Sequence, residues 1–373
     1  MRILAVDVGT GTQDILLFDS EQPVENALQL IMPSPTQIAA GRIRRATSAN
    51  RPVVLTGVIA GGGPCHWALG DHLRAGLSAY ATPDAAATFD DDLDAVQQMG
   101  VTVISADEAA RADGERVPLR DLDLDAIRSA LSAFDVSGHF DGIAVGCLDH
   151  GAAPPGNSNR LFRFDHLRRV VDRRNDLREF AYLPEDLPEY LTRARALVSC
   201  VGGDAPVVFL DTGPAAALGA LQDPLVGDRD EQLVLNLGNM HALAFHLHGT
   251  QIISLYEHHT GEMAPPQIED FTSRLLAGRL PHEDVFNSKG HGVYYAGDPG
   301  AGSKNPDRPV IAVTGPQRGK LRGSRLNPYF AVPHGDMMVS GCFGLLWAFA
   351  EKRGEAREEI IAGLGISVSN LTS

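Results

Sequence analysis

The stretch RILAVDVGTGTQDILLFD, residues 2–19, decides how the rest of the chain is read. Apolar residues from Ile3 to Val6 lead into Asp7. Glycines and threonines then alternate at Gly9, Thr10, Gly11 and Thr12, and a second apolar run extends from Ile15 to Phe18. This pattern predicts a strand, a tight turn and a returning strand. Glycines at 9 and 11 tolerate φ > 0 and leave backbone N–H groups open to an anion, while the two threonine hydroxyls add donors. Asp7 closes the first strand, where a carboxylate suits a hydrated Mg²⁺ better than it suits the phosphate itself. An ordinary hairpin with a glycine turn fits the same residues, so the weight falls on whether the pattern recurs.

It recurs over Gln232-Leu-Val-Leu-Asn236-Leu-Gly238-Asn239-Met240-His241-Ala-Leu-Ala-Phe-His-Leu247, with Asn236 in the place of Asp7. A repeated strand–glycine turn–strand unit points to two related halves. The polar, turn-rich segment 222–230 is the natural place to divide them. The expected organisation is a first domain over 1–230, a second over 231–338, and a helix and tail over 339–373.

Between the two hairpins the chain alternates strand and helix signals. Strands are expected at Ala27–Met32, Pro52–Ala60, Val101–Ser105, Gly142–Leu148 and from Val207 to Asp211. Helices are expected at Thr36–Thr47, Cys65–Leu77, Leu93–Met99 and Leu124–Phe134. Asp149 and His150 stand directly beyond the strand Gly142–Leu148, where ligands collect in open α/β sheets, and a Pro/Gly/Asn-rich loop follows them. Gly61-Gly-Gly63 lies between a strand and a helix, a place that suits either an anion or a close backbone approach. The arginine-rich segment 160–178 reads as a solvated amphipathic helix. Ala215–Leu221 and Gly341–Ala350 are helices built largely from small residues. The last dozen residues read as a tail or a short closing strand.

The 373 residues suffice for two domains, and 44% hydrophobic with 21% charged residues is a globular composition. A net charge of -15 argues against general affinity for nucleic acid or an anionic membrane, so any phosphate site must be made locally. No basic leader opens the chain and no window is long and apolar enough to span a bilayer, which predicts a cytoplasmic protein. Cys65, Cys147, Cys200 and Cys342 lie far apart without CxxC spacing and read as buried, reduced thiols.

Taken in order, these motifs resemble the superfamily of actin, sugar kinases and heat-shock chaperone ATPases. DVGTGTQD is similar to its first phosphate motif, NLGNMH to its second and VTGPQR to its adenosine motif, while GPAAALGAL and GCFGLLWAFA are similar to its two connecting helices. The resemblance implies an α/β chain with two related domains of ribonuclease-H-like architecture around a nucleotide cleft. Within that superfamily, DHGAAPPGNSNR, LDTGPAAALG, NLGNMHALAF and PHGDMMVSGCFGLL resemble a prokaryotic family labelled as a pyruvate formate-lyase activating enzyme. Radical-generating activases of the usual kind need CxxxCxxC, which this sequence lacks, so the label brings no chemistry with it.

The resemblance implies ATP and Mg²⁺ as ligands. Asp7 would organise the metal. Gly9, Thr10, Gly11 and Thr12 would hold phosphate, as would Asn236, Gly238, Asn239 and His241. Asp211, Thr212 and Gly213 would border the cleft, and Gly315 and Arg318 would lie near the nucleoside. Asp149 is then the candidate base and His150 its neighbour, in a phosphotransferase or ATP hydrolase whose acceptor the sequence does not name. Asn236 supplies no charge to the second turn, which keeps open an alternative: a nucleotide-gated activator acting on a partner protein. A third reading converts the site to another small anion or a metal complex, with Asp149, His150, His241, His291 and His334 as its polar set.

Overall fold

The computed structural model describes residues 1–297 and 309–366. The chain opens with β1 (Arg2–Val8), β2 (Thr12–Asp19) and β3 (Leu28–Pro33). It then forms a small parallel sheet from β4 (Val53–Gly57), β5 (Ala79–Ala81), β6 (Val101–Val103) and β7 (Glu115–Leu119), in the order β6-β5-β4-β7. It returns to the first sheet with β8 (Gly142–Cys147), β9 (Ala181–Tyr182) and β10 (Val207–Asp211), whose order is β3-β2-β1-β8-β10-β9.

The second half repeats this plan with β11 (Glu231–Leu237), β12 (His241–His248), β13 (Gln251–His259), β14 (Gly292–Tyr295), β15 (Val310–Thr314) and β16 (Tyr329–Phe330), ordered β14-β13-β12-β11-β15-β16. In both sheets the first strand pairs antiparallel with the second and parallel with the fourth of a five-strand core, β3-β2-β1-β8-β10 matching β13-β12-β11-β15-β16. That shared order and direction is the ribonuclease-H-like architecture, present twice. Register follows from alternation: Arg2 to Val8 face Asp19 to Gln13, and Glu231 to Leu237 face His248 to Ala242.

Two helices, Thr212–Ala220 and Ser340–Lys352, lie in the seam between the sheets. Gly213 to Ala220 and Ser340 to Ala350 are buried throughout. They share one core with Ile3, Ala5 and Leu210 of the first sheet and Val234, Leu243 and Phe245 of the second. Small residues are required where the helices cross. A Cβ on Gly219 would fall on the carbonyl of Ser340, and one on Gly344 on the carbonyl of Ala215.

One expectation needs correction. The arginine-rich helix, Asn159–Arg173, is not simply solvated: Arg163 is wholly buried beside Phe164, Leu167, Val170 and Val171. Near the C-terminus the chain forms a helix, Arg357–Gly363, which buries Ile360 and Ile361; most of the last dozen residues, expected to be a tail or short strand, lie outside the described residues. No helix among the described residues is long and apolar enough to cross a membrane.

Candidate active site at the seam

The two glycine turns meet across the seam. Gly9 N–H donates to Thr12 O at 3.0 Å and Gly238 N–H to His241 O at 2.9 Å, closing both hairpins in the same way. Gly11 lies against the Asn239 amide so closely that no Cβ would fit between them. A cavity of about 90 Å³ lies beneath the turns, lined by Asp7, Gly9, Thr10, Thr12, Asp14, Thr212, Asn236, Gly238, Asn239, Thr314 and Gly315 among others.

Two acids sit in this small cavity. Asp7 accepts from the Thr212 hydroxyl and backs onto Gly341, where any side chain would displace it. Burial pushes its carboxyl up to about 7, with Asp14 and Asp211 adding to the rise. Asp14 faces Asp7 across the hairpin; burial pushes it up to about 6, and its Oδ1 has no hydrogen-bond partner. The alternation of β2 could have revealed Asp14, since position 14 pairs with position 7 once the turn is centred on 9–12.

Other expected residues are used differently. Asp211 caps the seam helix through Gly213 N–H and is ion-paired with Arg163, while Gly213 packs against Leu243. Arg318 reaches the carbonyl of Gly315 at 3.3 Å and the sulfur of Met337 at 3.4 Å, bracing the third turn rather than facing the small cavity. Asp149 is buried and both of its oxygens are taken, Oδ1 by Gly151 N–H at 2.8 Å and Oδ2 by Ala194 N–H at 2.9 Å. Burial raises its pKa, but an acceptor engaged on both oxygens positions a loop more readily than it removes a proton.

A larger cavity, of about 450 Å³, opens on the other side of the first turn, and Gly9 and Thr10 line both. Its walls include Gly61 to Gly63, His150, Arg160, Arg193, Met240 and His241. Arg193 holds Asp121 at 2.6 Å and the carbonyl of Leu148 at 2.7 Å, and Asp121 accepts from Gly61 N–H at 3.0 Å. A Cβ on Gly61 would strike the Arg193 guanidinium, so the glycine run serves a close approach. Arg160 donates to the carbonyls of Phe286 and Gly290, at 3.1 and 2.7 Å, and lies over the Phe286 ring.

His241 turns away from the phosphate turn and joins His150, His259 and His291. Ring centroids are 5.0 Å apart for His150 and His241, 5.3 Å for His241 and His291, and 4.8 Å for His259 and His291. Burial is the main cause that lowers the pKa of all four imidazoles, His150 to about 3; Arg163 pushes the same way at His150, His241 and His291, and Arg160 at His259. His334 lies apart from the group, bonded to Gln222 at 3.0 Å. Arg163, unforeseen in the sequence, joins the halves: it pairs with Asp211 of the first sheet and, at 3.3 Å, with Glu257 of the second, and donates to the carbonyl of Asp149.

A family model described as "Putative pyruvate format-lyase activating enzyme (DUF1786)" matches residues 60–320. The chain belongs to the DUF1786 family. No curated protein is significantly similar to it. Among solved structures, this DUF1786 chain is similar to the ethanolamine utilization protein EutJ from Carboxydothermus hydrogenoformans, at 11% identity over 92% of this chain and 89% of that one, with a TM-score of 0.30. The Aquifex aeolicus member of the Ppx/GppA family is 11% identical over 100% and 90% of the two chains, with a TM-score of 0.29. An exopolyphosphatase-like protein is 11% identical over 97% and 90%, with a TM-score of 0.28.

The cysteines of the DUF1786 chain do not fit the iron–sulfur group that the family description suggests. All four are free, on separate elements, and burial raises the pKa of each thiol. Cluster ligation needs converging thiolates.

Proposed function

We propose that the chain is a Mg-ATP-binding phosphotransferase or ATP hydrolase of the sugar-kinase and actin type. The observation that carries this reading is that one glycine turn forms a wall of two cavities. A phosphate held by the Gly9–Thr12 turn would lie over the Asp7 and Asp14 carboxylates on one side and face the 450 Å³ cavity, the acceptor's place, on the other. The acids fit a cation: Asp14 has an unpartnered buried oxygen, and burial, with neighbouring acids adding, raises both carboxyls. Asp7 and Asp14 would hold Mg²⁺ through its waters, and the ion would neutralise phosphate charge.

The small cavity is well below the ~300–1,000 Å³ of ordinary ligand sites, so nucleotide entry requires Gly11 and Asn239 to part. The glycine crossings of the seam helices provide a smooth surface for that movement. Arg160 gives the large cavity a positive end: it bonds only carbonyls, and among the described residues it has no ion-pair partner. An acceptor with an anionic group suits that end. The free thiols accord with a cytoplasmic setting.

Calorimetric titration of ATP with and without Mg²⁺, followed by an acceptor screen for phosphate transfer, tests the proposal. Absence of nucleotide binding under both conditions would sink it. Tight binding without turnover would favour the second reading, a nucleotide-gated activator of a partner protein, which draws support from the uncharged Asn236 and Asn239 in the second turn.

A further inference from the structure

We infer that His150, His241 and His291 form a site for a divalent first-row transition ion, of which Zn²⁺ is the type, at the seam between the two halves. One ligand nitrogen from each histidine lies within 4.8 Å of the other two. Zn–N bonds of ~2.0–2.1 Å in a tetrahedral site place ligand nitrogens ~3.4 Å apart, so the rings need draw together by no more than about 1.4 Å. The ligands come from both halves: His150 follows β8, His241 begins β12 and His291 immediately precedes β14.

The hydrogen bonding separates this group from ordinary buried histidines. His72 is satisfied on both nitrogens, by Thr47 Oγ1 at 2.8 Å and Ser78 O at 3.1 Å, and His258 by His259 O at 3.1 Å and Ser288 Oγ at 3.2 Å. His291 is wholly buried, yet neither of its nitrogens has a hydrogen bond, and Nε2 of His241 lacks one as well. Orphaned buried polar atoms are costly, and here they converge within reach of one ion.

The surroundings suit a metal centre. Glu257 Oε2 lies 3.5 Å from Nδ1 of His291 without a hydrogen bond between them, close enough for a small ring movement to make the contact by which a carboxylate orients a ligating imidazole and leaves Nε2 to the metal. Arg163 fixes Glu257 in turn. The segment that delivers His291 is closely built: a Cβ on Gly290 would strike His258 and Val285, one on Gly292 would strike His282 and Phe164, and Arg160 clasps the carbonyl of Gly290. Two ligands, His150 and His241, line the 450 Å³ cavity, so the open coordination position faces it. An ion there acts as a Lewis acid toward whatever occupies the cavity.

The test is titration of tag-free, chelator-treated protein with Co²⁺ as the spectroscopic probe, with elemental analysis of the protein as purified. The inference predicts one equivalent bound, intense visible bands of a four- or five-coordinate His-ligated ion, and displacement by Zn²⁺. His150→Ala removes a ligand that is only partly buried and should fold; it and His241→Ala should each weaken Co²⁺ binding at least ~10-fold. Glu257→Gln should weaken it ~10–100-fold, as loss of a second-sphere partner does. Less than stoichiometric binding, a weak octahedral spectrum typical of surface sites, or wild-type affinity in a folded His150→Ala variant overturns the site. These outcomes do not depend on nucleotide binding, so the site stands or falls apart from the proposed function.

Discussion

Asp7→Asn isolates the charge at the centre of the proposed phosphate site. An acid held near 7 instead of 3.8 binds its proton about three powers of ten more tightly in the folded chain. At 1.36 kcal/mol per pH unit, this costs up to ~4 kcal/mol of stability once both states are ionised. The penalty is absent below about pH 4, where folded and unfolded chains are both protonated. It grows as pH rises and is complete above about pH 7. Asp7 borders the small cavity, and water there screens part of the charge, so ~2–4 kcal/mol is expected. Asparagine keeps an acceptor for the Thr212 hydroxyl and removes the charge. An unfolding entropy of ~2.1 cal/mol/K per residue over 373 residues gives ~0.8 kcal/mol/K, so Tm at pH 8 should rise by ~3–5 °C in the variant. Scanning calorimetry in chelator at pH 4 and pH 8 should show the difference only at the higher pH. Mg²⁺ should then stabilise the wild type and not the variant. Equal Tm values at pH 8, or a difference that ignores pH, would refute the assignment of a buried, uncompensated carboxylate.

Other outcomes follow from single contacts. Asp149→Asn replaces an oxygen that accepts from a backbone N–H with an NH₂ group, so stability in urea should fall by ~1–3 kcal/mol; unchanged stability with lost turnover would restore Asp149 as a base. Gly219→Ala places a methyl on the carbonyl of Ser340, and a loss of more than ~2 kcal/mol, or a larger radius of gyration in solution scattering, should follow. Arg163→Ala strands Asp211 and Glu257 without their partner, at a cost of ~3–5 kcal/mol. Adding Glu257→Gln to it should cost much less than the sum of the separate changes, and additivity in that double-mutant cycle would deny the coupling.

The parts of the fold legible in the sequence are those written in local periodicity. Both hairpins show apolar runs broken by a glycine turn, and both seam helices show small residues in sequence, so the paired hairpins and the seam helices followed. The small sheet did not emerge as a separate layer because β5 and β6 are three residues each, too short for alternation to register. Arg163 was obscured by its neighbours: among so many arginines, composition reads the segment as solvated. Helical spacing held the missing signal, since Arg163 shares a face with Leu167, Val170 and Val171. The histidines were legible as individual residues but not as a group. His150 and His241 are 91 residues apart and His241 and His291 are 50 apart, and only the fold brings the end of β8 and the starts of β12 and β14 together.

That strand order also explains why the acids and the histidines fall on opposite sides of one turn. Alternate residues of β1 and β2 face opposite ways, so the face carrying Asp7 and Asp14 is fixed toward the seam helices, beneath the glycine turn. The carboxyl end of the parallel strand β8 carries His150 past that turn to the other side. The second hairpin brings Asn236 and Asn239 to the acidic side and His241 to the far side. The second half therefore adds no negative charge to the cavity proposed for phosphate and adds a neutral donor where the large cavity begins. For a chain with a net charge of -15, withholding a second acid from the phosphate cavity lowers the repulsion an incoming anion meets. In the proposed site, charge compensation would fall to a cation at Asp7 and Asp14, while Arg163, already neutralised by Asp211 and Glu257, joins the two halves.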